Sequence, residues 1–289
     1  MVDFLPRDRD VSKPGVGLGD FVDVKLAYAQ WQHVFAAVKL TISAGKFDSV
    51  LGVEYRLQES NARVGITPSL VCRYTCGRPV GLKAAAELFD EQLELVLALT
   101  NGSHQVEGFP FSNEIDSNFG KTVAGRVAVR LPFARSFELD ASGAIGPQDH
   151  QTDDSVIQWH WGVAAKFAWQ QLSASVEFVK GRASGETDFN GGAIPCGAAS
   201  CLDYRGGYVL VAYRLHELFK PYARFDWRTA TLRKGLEYAY QSDDVRVTLG
   251  ARVDLTPAIA LKAEYVINHE LFPYDFPDDV FTSSLVVTY

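Results

Sequence analysis

The sequence predicts an all-β chain whose strands close into a transmembrane antiparallel β-barrel. Strand-like runs carry apolar side chains at every second position, tight links alternate with long ones, and aromatic residues bracket a span as thick as one bilayer core. About thirteen strands are visible, near 21–31, 34–45, 79–89, 92–100, 120–131, 136–146, 155–169, 171–181, 204–215, 219–230, 245–256, 259–269 and 280–289. Residues 1–289 read as a single domain, with an irregular N-terminal segment over 1–19.

Each strand rests on the same argument. In residues 155–169 one parity reads Trp159, Trp161, Val163, Ala165, Phe167 and Trp169, and the other Gln158, His160, Gly162, Ala164, Lys166 and Ala168. At about 3.3 Å per residue, Trp159 to Trp169 covers roughly 33 Å, and a tilt of roughly 40° leaves about 25 Å along the barrel axis, the height of an outer apolar band. The pattern recurs where Val245, Val247, Leu249, Ala251, Val253 and Leu255 alternate with Arg246, Thr248, Gly250, Arg252 and Asp254. Ala223, Phe225 and Trp227 likewise alternate with Arg224, Asp226 and Arg228. A soluble sandwich alternates too, but nothing in it requires strands of this length with aromatic ends. Leu82–Leu99 is rich in strong helix formers. Its alternation of Leu82, Ala84, Ala86 and Leu88, then Leu93, Leu95, Leu97 and Leu99, broken at Phe89-Asp90-Glu91, reads as a hairpin, because tertiary context overrides propensity.

Short links fall near Gln32, Asp90, Phe133, Gln170, Glu217 and Pro257, and long ones over 46–78, 101–119, 147–154, 182–203, 230–243 and 269–279. Single-chain bacterial barrels have an even number of strands. The first visible strand runs from the long-link side toward Gln32, so fourteen or sixteen strands are expected in the complete barrel. Residues 1–20 hold charges and prolines where a secretory signal has its apolar stretch. The expectation is that the signal was removed from this numbering or that the chain begins downstream of its natural start.

Composition agrees with this reading and excludes others. The chain is 47% apolar and 22% charged, yet it has no apolar run near the roughly 20 residues of a membrane helix, which a barrel does not need. A net charge of -7 argues against a nucleic-acid partner, whose phosphates demand a basic surface. The four cysteines come as two close pairs, Cys72 with Cys76 and Cys196 with Cys201. In an oxidising compartment they would close two small loops. Neither pair has the two-residue spacing of a common zinc knuckle. No metal or cofactor is expected.

On the inward parity the wall presents Arg126, Arg130, Lys166, Arg214, Arg224, Arg228, Arg246 and Arg252, with Glu87, Glu94, Glu138 and Asp140. Arg214, Arg224, Arg228, Arg246 and Arg252 come from three consecutive strands and would form a basic wall facing those carboxylates, setting a field across the lumen. The plainer alternative is that inward charges pair with their neighbours and merely keep the interior wet. The 46–78 link is far longer than a hairpin connector of about 2 to 5 residues. It carries Lys46, Asp48, Glu54, Arg56, Glu59 and Arg63, which folding inward would place at the narrowest point. The rival places it on the surface.

Catalysis would need a nucleophile, a base and an orienting group in reach of one another. His160 and Ser175 share inward parity on adjacent strands and Asp140 lies one strand away, but no Gly-x-Ser-x-Gly elbow surrounds them, so a barrel hydrolase is not expected. An adhesin or closed structural barrel differs only in whether the lumen is open.

The segment Gly45-Lys46-Phe47-Asp48-Ser49-Val50-Leu51-Gly52-Val53-Glu54 resembles the stretch after a rising strand in Gram-negative porins of the OmpL-like and phosphate-selective type. There a Gly-x-Phe segment leads into a Pro-Phe-Gly-x-Glu-like turn; here Val50-Leu51 stand in place of Pro-Phe. Phe281, Ser283, Leu285, Val287 and Tyr289, alternating up to a terminal aromatic, resemble the signal read by barrel-assembly machinery. The resemblance implies a Gram-negative outer-membrane location in contact with its lipid, and passive diffusion of small hydrophilic solutes or ions past an inward-folded loop. It also implies a homotrimer, although no feature identifies the contact face. No binding ladder matches residue by residue, so phosphate selectivity is not carried over.

Overall fold

The computed structural model describes residues 2–4, 22–24, 26–54, 62–101, 119–131, 136–147, 157–183, 185–187, 193–195, 202–234, 237–272 and 278–288. Its strands are β1 (Val2–Phe4), β2 (Val22–Val24), β3 (Ala27–Phe35), β4 (Val38–Lys46), β5 (Val80–Leu88), β6 (Leu93–Asn101), β7 (Lys121–Arg130), β8 (Phe137–Pro147) and β9 (Ile157–Trp169). They continue as β10 (Leu172–Ala183), β11 (Gly185–Thr187), β12 (Ala193–Pro195), β13 (Leu202–Tyr213), β14 (Phe219–Lys234), β15 (Glu237–Thr256), β16 (Ile259–Phe272) and β17 (Val280–Val287). One short helix, α1 (Cys72–Thr75), sits in the β4–β5 link.

Thirteen of these strands form one antiparallel meander from β3 to β17, in which β10 pairs with β13 across the inserted β11–β12 hairpin. The sheet begins at β3 and ends at β17, and no ladder joins the two among the described residues. Thirteen antiparallel strands, the number visible in the sequence, leave β3 and β17 running the same way. No helix among the described residues is long and apolar enough to cross a membrane.

The burial pattern is inverted relative to a water-soluble sheet. Trp31, Leu97, Ile145, Trp161, Val163, Phe225, Leu249 and Leu285 are exposed on the outer face, while Arg126, Asp140, His160, Glu177, Arg224, Asp226, Lys262 and Glu264 are buried on the inner one. In water that arrangement would expose a continuous apolar surface and desolvate charges. In lipid it places each face in its own solvent. The tryptophans and leucines are therefore not packed under a second layer.

Three sequence expectations are corrected. The first short turn lies at Ala36–Ala37, with Phe35 opposite Val38, rather than near Gln32. The displacement is four residues; an even displacement leaves the two-faced pattern unchanged, so alternation could not locate the turn. Cross-strand register does, setting Lys39 against Glu87. Second, the 230–243 link is mostly ladder, because Ala230 pairs with Ser242 and Lys234 with Glu237. Outside the bilayer a strand needs no apolar face, and main-chain pairing continues after alternation fades. Third, the 182–203 link contains the small β11–β12 hairpin. Near the start of the chain, Val2–Phe4 pairs with Val22–Val24 in a separate two-stranded ladder among the described residues. The Leu82–Leu99 segment is the expected hairpin, turned by Phe89, Asp90 and Glu91 at positive φ.

Candidate functional site

The β4–β5 link folds into the space enclosed by the sheet and touches opposite parts of its inner face. Its first leg leaves β4 paired to its own return, with the Phe47 amide on the Pro79 carbonyl (3.1 Å), the Ser49 amide on the Gly77 carbonyl (2.9 Å) and Arg78 on Asp48 (3.1 Å). Phe47, Val50 and Leu51 then pack against Val96, Ala98, Ala124 and Ala144 of β6, β7 and β8, and the Lys83 ammonium sits 4.8 Å from the Phe47 ring centre. The chain turns at Gly52 (φ 66°), whose amide reaches Ser142 Oγ, and the next amide, of Val53, donates to Glu177 Oε2 at 3.1 Å. A Cβ on Gly52 would strike Glu177 and Thr75.

Across the lumen, β14, β15 and β16 hold residues 63–70 by their main chain. Glu264 accepts the amides of Ile66 (2.9 Å) and Thr67 (2.6 Å) and the Tyr222 hydroxyl (2.5 Å), while Asp226 accepts the amide of Leu70 (3.1 Å). Arg224 donates to the carbonyls of Thr67 (2.8 Å) and Pro68 (3.0 Å); Lys262 donates to those of Arg63 (2.6 Å) and Gly65 (3.2 Å), and Arg252 also reaches Arg63 (3.0 Å). Carboxylates face the N–H groups and cations face the carbonyls, so an irregular backbone at membrane depth is satisfied by the wall. The return leg carries α1, bridged by the Cys72–Cys76 disulfide with Cα atoms 4.8 Å apart. Tyr74 stacks 3.7 Å from Tyr204, and Arg228 reaches its hydroxyl.

Near the short-turn end a second group of charges crosses β4 to β9. Lys39 binds Glu87 (3.1 Å), Arg126 and Arg130 bind Glu94 (2.5 and 3.1 Å), and Arg130 and Lys166 bind Glu138 (3.0 and 2.9 Å). Arg126 is buried, whereas Lys39, Arg130 and Lys166 keep a quarter or more of their side chains in contact with solvent.

The interior is therefore organised differently from two opposed walls of unlike sign. Glu87, Glu94 and Glu138 each have a cationic partner on an adjoining strand, and Asp140 is buried on β8. Arg224, Arg228, Arg246 and Arg252 lie together on β14 and β15, but Arg224 is salt-bridged to Asp226, Arg228 to Asp244 and Arg252 to Asp254, each with a nitrogen at 2.7 Å. Arg246 binds Asn268 (2.7 Å). Arg214 lies beyond the end of β13, at the exposed rim. Alternation locates which face a charge occupies but not whether its partner is a neighbour or a loop carbonyl.

Of the loop residues, Lys46 ends β4, Asp48 pairs with Arg78, Glu54 is bound by Ser69 and lies 3.5 Å from Arg224, and Arg63 offers its carbonyl to β15 and β16. Arg56, Glu59, Cys196 and Cys201 fall outside the described residues. Tyr222, Tyr74 and Asp244 also contribute; inward parity marks Tyr222 on β14 and Asp244 on β15, whereas Tyr74, in α1, carries no strand parity to mark it. The hydrolase constellation does not assemble. His160 stands opposite Gly181 on β10, and Ser175 lies six residues farther along that strand, roughly 20 Å away.

Between residues 67–73 and the long-link ends of β14–β16 lies a mixed-charge cavity of about 400 Å³, bordered by Arg73, Arg246, Asp244 and Glu270. On the other side of the loop, the space beside Glu54, Arg63, Ser175 and Tyr208 shrinks to about 50 Å³.

These features define a membrane-spanning antiparallel barrel whose interior is charged and, among the described residues, crossed by the β4–β5 link. Neither a protein-family model nor a curated protein matches the chain. Solved structures do. OmpF of Salmonella typhi in complex with daunomycin is 13% identical with a TM-score of 0.61, covering 93% of this chain and 78% of that one. The anion-selective porin from Comamonas acidovorans is 9% identical with a TM-score of 0.56, covering 94% and 76%. The trimer form of OmpT, an outer membrane protein of Vibrio cholerae, is 12% identical with a TM-score of 0.55, covering 87% and 86%. The chain thus has a porin-like barrel fold, and the likeness does not single out the phosphate-selective, OmpL-like type.

Proposed function

We propose that this protein is an outer-membrane porin that lets small hydrophilic solutes or ions diffuse through a lumen narrowed by the described parts of the 46–78 link, residues 47–54 and 62–78. The observation that carries this reading is the inverted surface combined with a loop held across the interior by charged wall residues. A barrel that only anchored itself in lipid would need the apolar outer face but not an interior loop clamped on two sides. Selection rests on the width left by the loop and on the partly solvated charges Lys39, Arg130 and Lys166, since Arg224 and Arg228 are engaged in holding the loop. No chemical step is assigned to the chain. The likeness to the trimeric OmpT structure supports a homotrimer, and the alternating outer face of β17 supports delivery by barrel-assembly machinery. The Gram-negative outer membrane follows from the same reading.

A second reading, a closed non-transporting barrel, draws on the apolar packing of Phe47, Val50 and Leu51 on one side and Val71 and Tyr74 on the other. Single-channel recording of the refolded protein in asymmetric salt separates the two. Discrete conductance steps with a measurable reversal potential are expected. A silent bilayer containing correctly folded protein would establish the closed barrel instead.

A further inference from the structure

On the outer face, β10 and β13 are apolar from their short-turn ends upward: Leu172, Ala174, Val176 and Phe178 on one, Tyr213, Val211 and Val209 on the other. The first charged outer-face residues on these strands are Lys180 and Arg205, which stand directly opposite each other in the ladder. Like charges opposed across a strand pair destabilise it unless something neutralises them. Both side chains are exposed, and neither has an ion pair among the described residues. The nearby carboxylate, Asp203, is taken by Arg182 at 2.7 Å.

Their height matches the edge of the hydrocarbon. Lys180 lies eight residues above Leu172, roughly 26 Å along the strand and about 20 Å along the axis at the usual tilt. It is level with Trp161, its partner on β9. Immediately below, Gly207 has no side chain to separate its two neighbours, so Trp227 reaches over it to within 5.9 Å of Phe178, which lies 5.5 Å from Trp161. Three aromatic rings thus form a platform beneath two cations that have no ion pair among the described residues.

We propose that Lys180 and Arg205 bind the phosphate of a membrane lipid, whose acyl chains run down the Trp161–Phe178–Trp227 platform and the valines of β10 and β13. A lipid rather than a soluble anion is the occupant because the cations open onto an apolar surface outside the barrel, away from the lumen. The inference rests on the reading that this face contacts a bilayer, but not on conduction.

The test is native mass spectrometry of the intact protein in detergent, titrated with phosphatidic acid or with phosphatidylcholine of the same chains. At about fivefold per basic group near a membrane surface, phosphatidic acid should bind roughly 25-fold more tightly. Lys180→Ala with Arg205→Ala should bring the two lipids within about twofold of each other, while Lys180→Arg with Arg205→Lys should retain the preference. Rising NaCl should erode it in the unaltered protein, a readout that needs no variant. An equal preference in the alanine variant overturns the site, as does displacement of the lipid by inorganic phosphate at comparable concentration, which would make it a free-anion site. Channel recordings of the alanine variant should match those of the unaltered protein. A silent channel with an intact lipid preference would remove the porin reading and leave this one standing.

Discussion

Replacing Glu264 by Ala should release one side of the loop. The buried carboxylate accepts two loop amides and the Tyr222 hydroxyl, with all three donors at 2.5 to 2.9 Å. A hydrogen bond to a charged group contributes about 1.5–3 kcal/mol net, so losing the two amide contacts should weaken the 63–67 leg by about 3 kcal/mol at the low end. That corresponds to about hundredfold more frequent local opening, since each 1.4 kcal/mol is a factor of ten. Hydrogen exchange at Ile66 and Thr67 should accelerate by that factor, with strand amides of β14 to β16 unchanged. In bilayers, open-channel noise and mean conductance should rise as the leg fluctuates. Glu264→Gln, which keeps the shape and one acceptor oxygen, should fall between the two proteins. The reasoning is refuted if the Ile66 and Thr67 amides of a properly folded Glu264→Ala protein exchange at the original rate. Exchange does not depend on conduction, so a closed barrel would leave this prediction intact.

Three further outcomes are expected. Glu94→Ala removes the carboxylate that holds the buried Arg126 guanidinium at 2.5 Å and should lower barrel stability by about 3 kcal/mol in denaturant titration, whereas Glu87→Ala, in a more solvated pair, should cost less than about 1 kcal/mol. Gly52→Ala places a Cβ against Glu177 and Thr75 at positive φ and should destabilise the loop by about 1–3 kcal/mol, seen as faster exchange of the Val53 amide with little change in global unfolding. Arg130→Ala with Lys166→Ala removes two solvated cations from the short-turn end and should move the reversal potential toward cation preference; an unchanged potential would place the rate-limiting constriction elsewhere.

Much of the architecture was legible because lipid and water impose a strict two-residue period on a barrel strand. Trp161, Val163 and Phe225 lie on the outer face and Lys166, Arg224 and Arg252 on the inner one, as parity required. The hairpin at Leu82–Leu99 was legible for the same reason, despite its helix-forming composition. Where the solvent contrast ended, so did the signal. The β14–β15 extension past residue 230 carries little apolar alternation, so the pattern alone predicts a loop there. The turn at Ala36–Ala37 was misplaced because parity survives an even shift.

The inner charges mark the other boundary. Glu94 and Arg126, or Glu264 and the Thr67 amide, meet across gaps of 32 and 197 residues. No local pattern encodes which inward cation finds a carboxylate and which finds a loop carbonyl. By itself the sequence determined the faces of the strands, the alternation of tight with long links over most of the chain and the exceptional length of the 46–78 link, because each depends only on neighbours along the chain. The tertiary structure alone decided that this loop crosses the lumen and that the arginines of β14 and β15 hold it, because those contacts require the sheet to curve and bring distant strands opposite one another.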